Sequence, residues 1–126
     1  MRFSLIPLAL LVFPATTLAA QDQAGPRTVE VQLSSFDFTP STINLHAGQA
    51  VTLHLVNSGN GGHNFSAPEF FAAATGVSGP VAHGAVEVSG HHSVDVTLTP
   101  AHGTYRLRCT HTLHTSFGMR GVIEVQ

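Results

Sequence analysis

Apolar residues recur at every second position along most of this chain. Val29, Val31 and Leu33 alternate with polar neighbours, as do Val51, Leu53 and Leu55, and later Val94, Val96 and Leu98. Val86 and Val88 form a shorter run. Tyr105, Leu107 and Cys109 carry the pattern on, and Val122, Ile123 and Val125 close the chain. Successive side chains of a strand point to opposite faces, so this period builds strands with one buried side. Breaks such as His46-Ala47-Gly48-Gln49 and Thr99-Pro100-Ala101-His102-Gly103 separate the runs at short intervals. Many short strands with Gly/Pro punctuation indicate an all-β sandwich or barrel. Phe36 to Leu45 adds one or two irregular strands. Pro68-Glu69-Phe70-Phe71-Ala72-Ala73-Ala74-Thr75-Gly76 departs from the period. Pro at its start and Gly at its end predict one short helix, its phenylalanines packed on the sandwich.

The N-terminus reads as a segment for export. Arg2 supplies one positive charge, Leu5 to Phe13 an apolar run too short to span a bilayer comfortably, and Thr17, Ala19 and Ala20 the small residues of a cleavage site. We expect a signal peptide over residues 1–19, cleaved after 19 or 20, a flexible lead-in over 20–27, and one domain over 28–126. No cysteine directly follows the apolar run, so a lipid anchor is not expected. The five cationic residues are all arginine, against seven acids. They form no basic cluster, which argues against a nucleic-acid surface.

The chain has one cysteine. An exported protein enters an oxidising space where cysteines usually pair, and a lone one cannot pair internally. It is an inert buried thiol, a reactive one, or one held by something else. Its neighbours favour the last. Cys109 is followed by His114 and then Met119, each five residues on, so one loop carries a thiolate, an imidazole and a thioether. The glycine-rich stretch Asn57-Ser58-Gly59-Asn60-Gly61-Gly62 leads directly to His63, a second imidazole from another strand. Two histidines, a cysteine and a weak axial methionine form the ligand set of blue-copper sites. Any of these residues alone would mean little. His111, two residues after Cys109, is an alternative loop ligand, although it leaves a tight turn and a longer gap to Met119. His46, His54, His83 and His102 are expected to be exposed or satisfied by neighbours. So are His91 and His92, which could bind a second metal ion adventitiously.

The Cys-x4-His-x4-Met loop followed by Arg120-Gly121-Val122-Ile123-Glu124-Val125 resembles the C-terminal signature of cupredoxins. Its spacing is closest to the rusticyanin type, and Gly62-His63-Asn64 is similar to the first-ligand segment of azurin. The resemblance implies a Greek-key β-sandwich, one copper ion alternating between Cu(I) and Cu(II), and one-electron transfer. By position, His63, Cys109 and His114 would be equatorial ligands and Met119 the axial one, with the Gly62 carbonyl on the opposite side. Asn64 and Thr110 match positions that tie the ligand loops together beside the sulfur. In the family an apolar patch surrounds the loop histidine; here Leu113, Phe117 and Gly118 would form it and meet transient redox partners.

Protein groups fill such a site, whereas catalytic metals usually keep a position open, so we expect an electron carrier and not an enzyme. The second reading is a copper carrier or sequestering protein, suggested by the histidine content. A copper reductase would need a second copper and a second domain. A signal-bearing cupredoxin belongs most often to the periplasm, with secretion as the other destination. A monomer is expected.

Overall fold

Each alternating run forms a strand, and the strands build two five-stranded sheets. The computed structural model describes residues 25–34, 36–111 and 118–126. The expected signal peptide, most of the expected lead-in and residues 112–117 of the loop after Cys109 lie outside them. In chain order the elements are β1 (Arg27–Ser34), β2 (Asp37–Thr39), β3 (Thr42–Leu45), β4 (Val51–Asn57), β5 (His63–Ser66), α1 (Pro68–Ala73), β6 (Thr75–Ser78), β7 (Ala85–Val88), β8 (His92–Thr99), β9 (Gly103–Arg108) and β10 (Arg120–Val125).

One sheet has the order β2-β1-β4-β8-β6 and the other β3-β10-β9-β5-β7. The pairs β1–β4 and β3–β10 are parallel and the rest antiparallel. Parallel neighbours cannot be joined by a tight hairpin. The chain instead leaves the first sheet after β2, adds β3 to the second, and returns as β4. This crossing of sheets locks the sandwich.

The faces obey the sequence period. Val31, Leu33, Val51, Leu53, Leu55, Val96, Leu98, Leu107 and Ile123 are all buried between the sheets. Aromatic rings close one flank: Phe38 meets Phe65 edge-on at 6.0 Å, Phe65 meets Phe71 at 6.0 Å, and Phe70 meets Tyr105 at 5.5 Å. Such edge-to-face pairs add to area burial. The Tyr105 hydroxyl sits 2.9 Å from the Ala101 carbonyl and 3.1 Å from that of His102, and donates back to this upstream turn. This fixes the entry to β9.

Two local expectations need correction. The helix stops at Ala73, and Ala74 is already extended, so Gly76 is not its cap. Residues Thr75–Ser78 pair instead with β8 at the sheet edge, through Thr75↔Thr99 and Ser78↔Thr97. All four are exposed and show no alternation, so the period did not reveal this strand. Cys109 does not end a strand: β9 finishes at Arg108, and Cys109 follows it, buried and still in phase. Gly121 lies inside β10, where a Cβ would stand 2.5 Å from the Ser41 carbonyl oxygen, so glycine permits the close approach of two backbones.

Leu53 is fully buried at the centre of β4. Leu53→Ala should lower unfolding stability by about 2–5 kcal/mol. Urea titration should show an earlier midpoint with an unchanged slope; an unmoved midpoint would contradict the central position of this residue.

Candidate metal centre

One end of the sandwich gathers the start of β5, the end of β7, the segment after β9 and the start of β10. His63 is the first residue of β5, 6% exposed and paired with Val88. Cys109 and Met119 are fully buried. The Cys109 N–H donates to the Met119 carbonyl at 3.1 Å, so the two sulfur residues leave and rejoin the sheet side by side. The Arg120 N–H returns to the Gly118 carbonyl at 2.8 Å, a three-residue turn centred on Met119. Gly118 has φ +86, the left-handed conformation expected where the chain turns into β10.

Asn64 ties this end together. Its backbone N–H points at Cys109 Sγ at 3.5 Å. Its side-chain Oδ1 accepts from the Thr110 N–H at 2.8 Å, while Nδ2 donates to Thr110 Oγ1 at 2.7 Å and to Glu87 Oε1 at 2.9 Å. Asn64 is 3% exposed, so these bonds satisfy a polar group that could not otherwise be buried cheaply. The residue next to His63 is thereby fixed against the residue next to Cys109. Asn64 and Thr110 are thus in direct contact through two hydrogen bonds.

Glu87 extends the clamp, and sequence reading missed it. Its second oxygen lies 2.7 Å from His111 Nε2. A carboxylate only accepts, so that nitrogen carries the proton. Burial pushes the Glu87 carboxyl up, but hydrogen bonds from His111 and Asn64, with the charge on His111, outweigh it and hold the group below its ordinary range. Nothing local marks Glu87: it is one polar position between Val86 and Val88, and only the register Asn64↔Glu87 brings it to the site.

Asn57 was missed as well, though a signal existed. It is an asparagine in phase with Val51, Leu53 and Leu55, where an apolar residue is due, and it is 1% exposed. Its Nδ2 donates to the Gly61 carbonyl at 2.8 Å and the Val88 carbonyl at 3.0 Å, while Oδ1 accepts the Gly59 N–H at 3.0 Å. One side chain therefore shapes the glycine loop that delivers His63. The turn before β8 braces the same loop. The His91 N–H donates to the Gly59 carbonyl at 3.1 Å, and a Cβ on Gly90 would stand 2.3 Å from the Asn60 carbonyl oxygen. His91 and His92 are exposed and engaged locally, with Asn60 and the Gly90 carbonyl respectively.

The structure thus brings His63, Cys109 and Met119 to one end of the fold. His114 lies outside the described residues, as do Leu113 and Phe117; Gly118 is exposed. Gly62 precedes β5 beside His111, whose ring carbon would be 3.4 Å from a Cβ at that position. His111, the alternative ligand, has one ring nitrogen committed to Glu87. Among the described residues no three His, Cys, Asp or Glu side chains stand grouped as a metal site. The donor chemistry nonetheless fits a thiophilic ion. A fully buried sulfur receiving an N–H, with a thioether bonded alongside through the backbone and an imidazole one residue from the donor, is a soft set removed from water.

Residues 6–125 match the family described as the cupredoxin-like domain. A search of curated proteins finds no match. Among solved structures, auracyanin B is similar at 28% identity and a TM-score of 0.62, over 82% of this chain and 91% of that one. Auracyanin A, a "blue" copper protein from the green thermophilic photosynthetic bacterium Chloroflexus aurantiacus, shares the fold at 22% identity and a TM-score of 0.60, over 81% and 100% of the two chains. Part of the multicopper oxidase McoA from Aquifex aeolicus shares it too, at 17% identity and a TM-score of 0.64, over 86% of this chain and 31% of that one. The match takes in every strand from Arg27 to Val125, and the two-sheet sandwich agrees with it: the chain belongs to the cupredoxin-like domain family.

Proposed function

We propose that this protein is a type 1 copper protein that carries single electrons between redox partners. The observation that carries the reading is the buried Cys109 sulfur, facing the Asn64 N–H and tied through its own backbone to Met119. His63, Cys109 and His114 would hold the ion, Met119 would be its weak axial ligand, and the Gly62 carbonyl would lie on the other side. Bound there, copper supplies a one-electron couple between Cu(I) and Cu(II), for which this mixed ligand set is a compromise.

The chain's own residues do the rest. The Asn64 N–H stabilises negative charge on Cys109 Sγ. The Asn64–Thr110 bonds and the Asn57 loop hold the two ligand segments in place, so little has to move when charge is gained or lost. Such outer contacts tune a metal as its ligands do. Full burial of both sulfurs keeps water and thiol oxidants away. Protein groups would fill every ligand position, which supports a carrier and not an enzyme. The expected signal peptide supports a periplasmic address, and Leu113, Phe117 and Gly118 would offer partners a small apolar contact.

Adding Cu(II) to the purified protein should produce an intense visible thiolate-to-copper band. Cys109→Ser and His114→Ala should abolish or grossly alter it, while His111→Ala should keep it. No band in the parent protein, or one that survives loss of the thiol, defeats the proposal.

Asn64→Ala removes the side-chain ties to Thr110 and Glu87. The metal-free protein should lose about 1–3 kcal/mol of unfolding stability, read by denaturant titration. A change within error would mean that the clamp is not structural.

Glu87 gives a pH signature. Its folded-state affinity for a proton is below the ordinary value of 4.5, so its contribution is complete above that pH and disappears as pH falls through the lowered value. The midpoint difference between metal-free parent and Glu87→Gln proteins should be present at neutral pH, begin to shrink below 4.5, and vanish once the pH is below the lowered value. A difference that grows in acid would reverse the assigned sign.

A further inference from the structure

We propose that the outer face of β9 and β10 is a docking surface for an acidic patch on a partner protein. Arg106 and Arg108 are exposed on β9, on either side of the inward Leu107. The register sets Arg120 directly opposite Arg108, and Val122 opposite Arg106. These are three of the five cationic residues in a chain whose net charge is −2. They line a groove of 440 Å³ with Leu107, Gly121 and Val122.

Arg106 and Arg108 stand two positions apart on the same face of β9, so one anionic group can meet both. Glu69 borders an adjoining 40 Å³ cavity with Arg106 and Arg108, yet neither arginine forms an ion pair among the described residues. Guanidinium groups pair with carboxylates through two parallel hydrogen bonds, so a cluster of Asp and Glu on a protein surface is the matching chemistry. Three cations fall short of the clusters of about 4–8 that read anionic lipid.

The position gives the surface a purpose, which rests on the proposed electron-carrier role. Arg108 immediately precedes Cys109 and Arg120 immediately follows Met119, and the Cys109 N–H and Met119 carbonyl join these segments at 3.1 Å. An acidic partner seated here is one residue from both sulfur ligands. Charge complementarity of this kind speeds and orients encounter more than it adds affinity, as a transient redox contact requires.

The test uses a deca-glutamate peptide as the probe and the amide NMR spectrum of the metal-free protein as the readout. At low salt the peptide should shift amides of β9 and β10 selectively. Arg106→Gln/Arg108→Gln should weaken binding about tenfold, and about 0.5 M NaCl should abolish it. Shifts centred elsewhere, or binding unchanged in the double variant, overturn the proposal. So does stronger binding to vesicles containing phosphatidylglycerol than to the peptide, which would make the face a membrane contact. The double variant should keep the visible copper band. Because the peptide measurement needs no metal, a missing band would count against the electron-carrier role alone, and a missing peptide shift against this surface alone.

Discussion

A single buried asparagine decides whether the two halves of the proposed site meet. Asn64 reaches Cys109 with its backbone and Thr110 with both ends of its amide. Among the described residues β5 and β9 are otherwise joined by one bridge, Ser66↔Arg108, three residues from His63. Without the Asn64 side chain, the start of β5 and the segment after β9 would lose their direct side-chain ties and keep the longer path through Glu87 and His111, which fixes their separation less closely. An amide suits this task because it donates and accepts at once, and an asparagine is short enough to fix both distances.

The remaining supports act on the loops, one step behind the ligands. Asn57 draws in the Gly59 to Gly61 loop, and the Gly90-His91 turn presses on it from β8's side. Glu87 catches Asn64 with one oxygen and His111 with the other. Each support comes from a different segment, so moving any one ligand segment disturbs several neighbours together. A site built in this way resists small rearrangement. That is the property a one-electron carrier needs, and a metal shuttle, which must open to release its cargo, does not.

The legible part of this fold was the part with a period. Val29 to Leu33, Val51 to Leu55 and Val94 to Leu98 announce their strands because each buries one face and wets the other. β5 escapes this test because His63, Asn64, Phe65 and Ser66 are all buried, and β6 escapes it because Thr75 to Ser78 are all exposed. The expected ligands were visible because cysteine, histidine and methionine are chemically distinctive at close spacing. Glu87 was invisible because its partner lies 23 residues away and is reached only through strand register. Asn57 stood between these cases: its residue type conflicts with its phase, and that conflict marks a buried polar group whose bonds must be found.

The same alternation that places the site also shapes its surroundings. Along β9 the period turns Leu107 inward and Arg106 and Arg108 outward, and Cys109 continues the inward series just past the strand's end. At the other end of the loop Met119 is buried and Arg120 is exposed. A soft donor inside and a cation outside therefore stand next to each other twice, once on each side of the loop. Because the two strands are antiparallel and in register, these two cations fall opposite each other on the surface. Cationic charge close to the proposed centre thus follows from the strand geometry that closes the loop. Since an electron carrier must admit its partner without exposing its metal to water, charge held on the far side of a one-residue-thick wall serves better than charge inside the site.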